Sequence, residues 1–463
     1  MKALGDHLRS SLWPIPLAML FASVLLVNAA AGVDQRLAGS EALQRWWLHS
    51  GSGDDARNLL STLATSIMTI ASLVFSITIV ALSLAANQFG SRLVRSYMTD
   101  LRTKLSLGFF LLTAVFCLLS LRLVRQEMDP AQVPHVTVTT ALGLSVACVL
   151  VLVLFLHVVA RSFIADEVVS RVARDLDSAV ESLPLLKPGQ PALPSAEALL
   201  PADFERRSQV VKSPAEGYVR EVHYEALLAH AVSAGIVLRI DVMAGDYVCK
   251  GGWLGRVSCA SDDSAGDLPQ AIRDGIVVGP ERTPVQDLAY LMRHLVDVAL
   301  RALSPGINDP NTALVVVDRL RGALARLLGK SLPHGVFLDD DGRCRLLGRR
   351  HTHADLIAAA LRPIRDAAAA QPLVIVAMIQ SLQRLAEHAT TKDQVQSLRT
   401  EAALIAEVAL GKPIAEAEAR AIRDAMGKVE EKIAAVRSES MQSDTTRPAR
   451  ALQLTETPST SVS

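Results

Sequence analysis

Hydrophobic positions are concentrated in the first third of the chain. Four stretches there lack Lys, Arg, Asp and Glu entirely, namely residues 10–33, 58–91, 105–121 and 131–160. A helix of about 20 apolar residues crosses the hydrocarbon core of a bilayer. Helices of soluble proteins normally carry a charged face, and none of these stretches has one. The pattern therefore predicts a transmembrane domain of four helices in residues 1–160.

The first stretch allows two interpretations. Lys2 and Arg9 precede an apolar run that ends in Asn28 and three alanines, and this arrangement also fits a cleaved signal peptide. A cleaved chain, and an intact chain whose first helix starts inside the cell, would both place residue 32 outside. The predicted topology of the other helices is the same in both cases.

Charge in the loops predicts the orientation. The loop at 92–104 has four basic residues against Asp100 alone, whereas the loops at 34–57 and 122–135 contain at least as many acidic residues as arginines. Loops rich in Lys and Arg stay on the cytoplasmic side. We therefore expect a multi-pass membrane protein, in contact with the lipid bilayer, with both termini and everything after residue 160 in the cytoplasm.

The composition of the whole chain disfavours several classes of protein. Half of the residues are hydrophobic and only 20% are charged, and the mean hydropathy of +0.29 is high for a chain that folds in water. Lys and Arg together equal Asp and Glu at 47 each, so there is no basic surface excess for nucleic acid. Five cysteines without a C-x-x-C spacing do not form a disulfide framework or a thiolate zinc site.

A stalk and a linker follow the last apolar stretch. Residues 161–182 carry charges of both signs, with apolar residues at three- and four-residue spacing. This pattern predicts an amphipathic helix that continues the fourth transmembrane helix. Five prolines between Pro184 and Pro201 are incompatible with the interior of a helix or sheet. The stalk and the proline-rich linker together occupy residues 161–204.

The polar pattern then changes to a period of two, which predicts half-buried strands. Alternating segments lie at 217–222 and 237–242, and four glycines stand among strand-forming residues at 244–257. Glycines in such positions allow sharp turns. We therefore expect a small β-rich module over residues 205–260.

Two strings in this module, GYVREV at 217–222 and VMAGDYVCKGGWLGRV at 242–257, resemble the hammerhead fold of biotinyl and lipoyl carrier domains. The resemblance covers residues 211–257. Carrier domains present a modified lysine on a hairpin between their two halves, but residues 223–236 here show a helical pattern without lysine. Lys250 does not occupy the position of the carrier lysine. Covalent biotin or lipoyl loading is therefore not expected.

Residues 276–437 predict a mainly helical domain. Thr283 at the N-cap and Pro284 at the first helical position predict a helix to about Leu303, and Asp309 before Pro310 predicts a second helix. A hairpin at 336–347 and further helices from Thr352, at 372–389, 392–411 and 413–437, should follow. Residues 438–463 are predicted to be a disordered tail. The fold class is a multi-pass α-helical membrane protein with a cytoplasmic α+β region.

Three further strings carry a resemblance to a known family. SLAANQFGSRL at 83–93, RTPVQD at 282–287 and ALSPGINDP at 302–310, together with the Leu-Trp-Pro start, resemble a bacterial family of predicted membrane proteins, domain of unknown function two-two-five-four. The resemblance covers residues 10–435. It implies a membrane topology and carries no activity, cofactor or catalytic residue.

The second apolar stretch has the most informative polar pattern. At 100° per residue, one face within roughly 80° carries hydroxyl and amide side chains. They are Thr62, Thr65, Thr69, Ser72, Ser76, Ser83 and Asn87. Two interpretations stay open, a face that packs closely against another helix and a face that lines a pore. The apolar stretches contain no acidic residue, so the sequence offers no carboxylate for a proton relay.

The region after residue 160 offers a candidate surface for a partner or ligand. Arg293, Asp297 and Arg301 recur on one helix face, and Asn308 and Asp309 precede a helix N-terminus. No nucleophile with an orienting base, no phosphate-binding glycine loop and no convincing set of metal ligands is recognisable. We therefore expect neither an enzyme nor a bound cofactor or metal.

The leading functional hypothesis is a homo-oligomeric, channel- or transporter-like membrane protein controlled by its cytoplasmic region. The alternative is a membrane-anchored scaffold or sensor that binds a cytoplasmic protein partner through the β module and the face of Arg293, Asp297 and Arg301. The transported solute, the oligomeric state and the partner do not follow from the sequence.

Overall fold

A computed structural model describes residues 13–37, 51–89, 100–161, 165–186, 199–258, 272–333 and 335–445. The chain divides into two compact units, Met1–Val168 and Val169–Ser463. Most of the basic loop at 92–104 and the part of the predicted tail after residue 445 lie outside the described residues.

The described part of the first unit contains four long helices: α1 (Pro14–Leu37), α2 (Gly53–Phe89), α3 (Leu101–Leu123) and α4 (His135–Arg161). Each is long and apolar enough to cross a membrane. The prediction of four transmembrane helices is confirmed. With 37 residues, α2 measures about 55 Å, which exceeds the hydrocarbon core of about 30 Å.

Helix α3 is the centre of this bundle, since it packs more extensively against α1 and α2 than α4 does. Half of its apolar span is buried in protein, compared with 22–28% for the other three. A Cβ atom on Gly108 of α3 would lie 2.5 Å from Sδ of Met19 and 3.2 Å from Cα of Pro16. Only glycine therefore permits this close approach of α1 and α3.

Polar side chains cap the helix ends in this unit. Asp34, near the end of α1, accepts hydrogen bonds from the backbone N–H groups of Val136 (2.7 Å) and Thr137 (3.0 Å) at the start of α4. Ser52 and Asp55 cap α2 by exchanging side-chain and backbone hydrogen bonds. These contacts satisfy N–H groups that have no partner within their own helix.

The second unit contains α5 (Ala165–Glu181, which starts just before the unit boundary), followed by the short α6 (Phe204–Arg207). One face of α5 is buried through Val169, Val172, Leu176 and Val180, which confirms the amphipathic pattern. After α5 the chain runs alongside residues 329–331, where Leu186 N–H donates to the Gly329 carbonyl at 3.0 Å. Residues 187–198 of the predicted linker lie outside the described residues.

The described residues of the second unit contain eight strands, which form two sheets. They are β1 (Ser208–Lys212), β2 (Gly217–Val222), β3 (Val237–Ile240), β4 (Tyr247–Val248), β5 (Trp253–Ser258), β6 (Ile276–Gly279), β7 (Val336–Leu338) and β8 (Cys344–Gly348). One sheet has the order β1-β5-β3-β8-β7 and the other β4-β2-β6. Strand β8 pairs in parallel with β3, whereas the other pairs are antiparallel.

The two sheets extend beyond the residues that the sequence assigns to the β module. Strand β6 pairs with β2, and β8 places Leu346 opposite Leu238 of β3 in one hydrophobic core. These strands come from residues 276–279 and 344–348, after the predicted range of 205–260. The pairing of β3 with β8 links segments about a hundred residues apart, and local periodicity contains no information on such a contact.

Helix α7 (Tyr224–Ser233) connects β2 and β3, where a carrier domain would present its lysine. Leu227 and Ala231 of α7 are buried in the core between the sheets. The helical segment predicted at 223–236 is thus confirmed, and its inward face explains why it is helical.

Six helices complete the second unit: α8 (Leu288–Ala302), α9 (Pro310–Leu328), α10 (His353–Ala367), α11 (Pro372–Leu385), α12 (Lys392–Leu410) and α13 (Glu416–Thr445). The prediction of Thr283 as an N-cap is wrong, because Asp287 caps α8 instead. Thr352 and Asp355 form the predicted capping box of α10. Helix α13 extends to Thr445, into the predicted tail of residues 438–463.

Candidate functional site

The two faces of α2 differ in chemistry. The face that packs within the bundle is apolar and rich in alanine, and its buried residues include Ala56, Leu60, Ala64, Ile67, Ala71, Val74 and Ala81. Small side chains at these positions let α3 approach closely. The close packing of α2 against α3 therefore uses the side of α2 opposite to most of the hydroxyl groups.

The predicted hydroxyl side chains lie on an exposed face of α2. Thr62, Thr65, Thr69, Ser72, Ser76 and Ser83 are exposed, and several of them line an open groove of about 780 Å³ with Met68 and Leu118. Asn87 belongs to α2, but its side chain lies outside the described residues. We call the six exposed residues the hydroxyl face.

The hydroxyl groups on this face differ in their hydrogen bonds. Thr62, Thr65 and Thr69 donate to the backbone carbonyl four residues earlier at 2.8–2.9 Å. Ser72 and Ser76 make no such bond within the part of the chain that the structure describes. These two serines lie well inside the apolar span Gly53–Leu84. In the rotamers shown, their hydroxyl groups therefore have no hydrogen-bond partner among the described residues.

In the second unit, the residues of the predicted partner surface lie on α8 and in the corner that follows it, where the Asp309 N–H donates to the Ala302 carbonyl at 2.7 Å. Arg293 is exposed on α8, and Asp297 and Arg301 are partly exposed on the same helix. Asn308 and Asp309 lie in the corner between α8 and α9 and have structural contacts. Asn308 has a φ of 49° and accepts a hydrogen bond from Nε2 of Gln371 at 2.9 Å.

Asp309 caps α9. Its carboxylate accepts hydrogen bonds from the Thr312 backbone N–H (3.2 Å) and the Thr312 hydroxyl (2.5 Å). Together with smaller contributions from backbone N–H groups, the Thr312 hydroxyl holds the pKa of Asp309 below its usual range. One of the N–H groups that an anionic ligand would use is thus occupied by the protein itself.

The segment 282–287 has a role that sequence reasoning missed. Arg282 and Asp287 form an ion pair at 2.6 Å, and the Asp287 side chain is completely buried. The same carboxylate caps α8 by accepting from Tyr290 N–H at 2.8 Å. A Cβ atom on Gly245, whose φ is 96°, would collide with this ion pair. The sequence contained one signal for this cap, because an Asp stands three residues before Tyr290 at the start of an apolar helix.

Gln286 links the same segment to β2. Its side-chain amide exchanges two hydrogen bonds with the backbone of Val222, accepting at 3.1 Å and donating at 3.2 Å, as a neighbouring strand would. Its φ of 60° is unusual for a residue other than glycine. Residues 282–287 therefore connect β2 to α8.

Two cavities lie in the second unit, of about 790 and 990 Å³. Arg350 lines both, and its guanidinium lies 3.5 Å from the ring centroid of Tyr224, which stacks on Phe337. Burial lowers the pKa of Arg350. The smaller cavity also contains the Glu221 and His223 pair at 3.5 Å, so its lining has charges of both signs.

Four membrane-spanning helices followed by a unit of mixed helices and small sheets define a multi-pass membrane protein with an α+β region. The chain belongs to the family DUF2254, described as predicted membrane protein, whose sequence model matches residues 9–384. This result confirms the family to which the sequence motifs pointed.

Relatives with curated records have no assigned activity. The chain is 28% identical over 414 residues to the uncharacterized protein Rv1290c of Mycobacterium tuberculosis and to the uncharacterized protein Mb1321c of Mycobacterium bovis. Each alignment covers 88% of this chain and 78% of the relative. No solved structure matches the chain significantly.

Proposed function

We propose that this protein is a homo-oligomeric, channel- or transporter-like membrane protein. In this proposal, the hydroxyl faces of α2 from several copies surround a common axis and line a path for water and a polar solute. The α+β region controls the path from the cytoplasmic side of the bacterial inner membrane. The observation that supports the proposal is the pair of hydroxyl groups on Ser72 and Ser76 that lack a partner in the described chain.

The physical reason is the absence of water in the bilayer core. A polar group without a hydrogen-bond partner there costs several kcal/mol. Water in a central path, or a second copy of α2, would supply the missing partners for Ser72 and Ser76. The threonines of the same face are compatible with water and with a second copy of α2, because their hydroxyl groups already donate to their own helix.

The chemistry of the spans favours a passive path. The four uncharged stretches contain no Asp or Glu, so a proton relay built on carboxylates is not part of the proposal. Hydroxyl groups can replace part of the hydration shell of a polar solute. The proposal includes no catalytic step, cofactor or metal.

The proposal is tested by solute flux in liposomes and by the mass of the complex. We expect the chain to form an oligomer in detergent by native mass spectrometry. The double substitution Ser72→Leu and Ser76→Leu should reduce flux at least tenfold, because it replaces the hydroxyl groups with larger apolar side chains. The matched control, Ser72→Thr with Ser76→Thr, retains both hydroxyl groups and should retain most of the flux.

A strictly monomeric chain, or flux that is unchanged by the leucine substitutions, would contradict the proposal. A monomer without flux that retains a soluble protein partner would instead support the scaffold or sensor function. The exposed Arg293 on α8 is then the first position to substitute, since its side chain is accessible to such a partner.

A further inference from the structure

Exposed aromatic and basic side chains flank the turn between β4 and β5, where the Arg256 guanidinium lies 5.4 Å from the ring centroid of Trp253. Tyr247 and Trp253 are 56% and 57% exposed. Tyr218 packs edge-on against Tyr247, with ring centroids 5.1 Å apart. Lys212 is paired in register with Trp253, and Lys250 lies in the turn between β4 and β5. We call Lys212, Tyr218, Tyr247, Lys250 and Trp253 the aromatic tip.

The fold holds this cluster in place. The Ser213 N–H donates to the Gly252 carbonyl, and the Gly251 N–H donates to the Ser213 carbonyl, both at 2.8 Å. These bonds connect the loop after β1 to the turn between β4 and β5. Gly251 has a φ of 80°, which a turn of this kind requires. The tip is therefore a rigid surface.

The aromatic side chains cannot turn into the core. Val248 and Leu254, the neighbours of Tyr247 and Trp253 along their strands, are buried at 5% and 1% exposure. Successive side chains of a strand point to opposite faces, so burying the aromatic residues would expose these neighbours. The exposure of Tyr247 and Trp253 is thus fixed by the register of the sheets.

Aromatic residues are scarce in this chain, which has four Trp and five Tyr among 463 residues. Trp253 is the only Trp after residue 47, and two of the four Tyr after residue 168 are in the tip. Trp and Tyr combine an apolar ring with a polar group, and they concentrate where a membrane meets water. The composition of the tip matches that environment.

The charge of the tip is complementary to an anionic surface. Neither Lys212 nor Lys250 has a carboxylate within 4 Å among the described residues. Arg273 adds a third positive charge, since its Nε donates to the Lys212 carbonyl at 3.2 Å, and the exposed Asp274 follows it in the chain. Glu216, in the loop after β1, is the exposed acidic residue of the same loop. Basic residues near anionic lipid headgroups are attracted to them.

We propose that the aromatic tip binds the interface of a bilayer that contains anionic lipid, with Trp253 and Tyr247 among the headgroups. The second unit is covalently tethered to a bilayer, because α5 begins four residues after the membrane helix α4 ends. Tethering of this kind makes even a weak surface contact effective. The proposal is independent of the solute path, since it concerns lipid contact and not flux.

The test uses the full chain with Trp253 as its only tryptophan, obtained by Trp13→Phe, Trp46→Phe and Trp47→Phe. The protein is placed in nanodiscs of phosphatidylcholine, with and without phosphatidylglycerol, and with lipid brominated on the acyl chains. We expect brominated lipid to quench the Trp253 fluorescence, and more strongly when phosphatidylglycerol is present. Each basic residue removed should lower the ratio of bound to free tip roughly fivefold.

Charge reversal provides the matched comparison. Lys212→Glu with Lys250→Glu should remove the effect of phosphatidylglycerol. The control is Lys412→Glu with Lys428→Glu, which changes the net charge by the same amount at exposed residues of other segments. It should leave the quenching unchanged. The proposal is overturned if aqueous acrylamide quenches the Trp253 fluorescence and brominated lipid does not, in either nanodisc. Equal quenching with Glu at 212 and 250 overturns its electrostatic part.

A second measurement retains the native tryptophans. A nitroxide on the exposed Cys249, in a chain with Cys259→Ser, reports on the same turn, whereas Cys117, Cys148 and Cys344 are buried. Oxygen dissolved in lipid should relax the nitroxide more than a water-soluble nickel complex does. The reverse order would contradict membrane contact.

Discussion

At the scale of single residues, the contacts that connect the sheet to the helices depend on a few buried polar groups. Asp287 pairs with Arg282 and caps α8, and Gln286 pairs with Val222 as a strand would. The sequence could show Asp309 as a cap, because it precedes Pro310 at a helix start. For Asp287 it contained only the spacing of a cap, since the ion pair with Arg282 and the space left by Gly245 are properties of the folded chain.

Asp287→Ala should lower the free energy of unfolding of the α+β region by about 3–5 kcal/mol, because it leaves the largely buried Arg282 without its partner and removes a cap. Hydrogen exchange of α8 against urea, in the full chain in detergent, measures the loss. Asp318→Ala removes an exposed pair with Arg321 at 3.0 Å and should cost about 1 kcal/mol or less. Equal losses of unfolding free energy in the two variants would contradict the role of Asp287 as a buried ion-pair partner and helix cap.

His353 predicts a pH dependence. Burial lowers its pKa below the ordinary 6.5, although its ring nitrogen lies 3.2 Å from the Leu327 carbonyl. As the pH falls below 6.5, the unfolded chain takes up this proton first, so the free energy of unfolding decreases until the pH passes the lower pKa of the folded protein. His353→Gln retains a donor for Leu327 and should show a smaller decrease in urea titrations between about pH 7.5 and pH 5. An unchanged decrease in the variant would show that His353 does not contribute.

At the scale of elements, patterning predicts which helices form and cannot show which of them touch. The uncharged stretches predict α1 to α4, and the 100° periodicity places the hydroxyl residues on one face of α2. That α3 lies at the centre and packs on the alanine face of α2 depends on the three-dimensional arrangement of the bundle. The same limit explains why β8 was not assigned to the sheet of β3.

Gly108 provides a test at this scale. Gly108→Ile should separate α1 from α3, because the added side chain would overlap Met19 and Pro16. We expect a loss of about 2 kcal/mol or more in the stability of the bundle, measured by thermal unfolding in detergent. Gly143→Ile is the control, since nothing lies within 4 Å of a Cβ atom at Gly143 in α4. A similar loss at Gly143 would mean that the substitution acts through helix propensity alone.

At the scale of the whole molecule, the division into two units predicts which fragments fold. The α+β unit starts at Val169, and its sheets include strands from both the predicted β module and the later helical region. The predicted boundary between residues 260 and 276 therefore separates strands that share one core.

A fragment of residues 165–445 should unfold cooperatively in water by circular dichroism, because it contains both sheets and all the helices that pack on them. A fragment of residues 199–279 should not, since β3 then lacks β8 and the core lacks Leu346. Cooperative unfolding of the shorter fragment would show that the β module is an independent domain.

The length and composition of α2 have a consequence for electrical behaviour. From Thr62 to Ser83 the helix rises about 32 Å, which is close to the full thickness of the insulating layer of a membrane. Voltage acts on a conformational change by moving charge, at about 2.3 kcal/mol per elementary charge and 100 mV. The stretch 58–91 contains no charged side chain. A rotation of α2 about its axis would therefore move no charge across the membrane and produce no gating current. If the protein conducts, its open probability should not depend steeply on membrane potential.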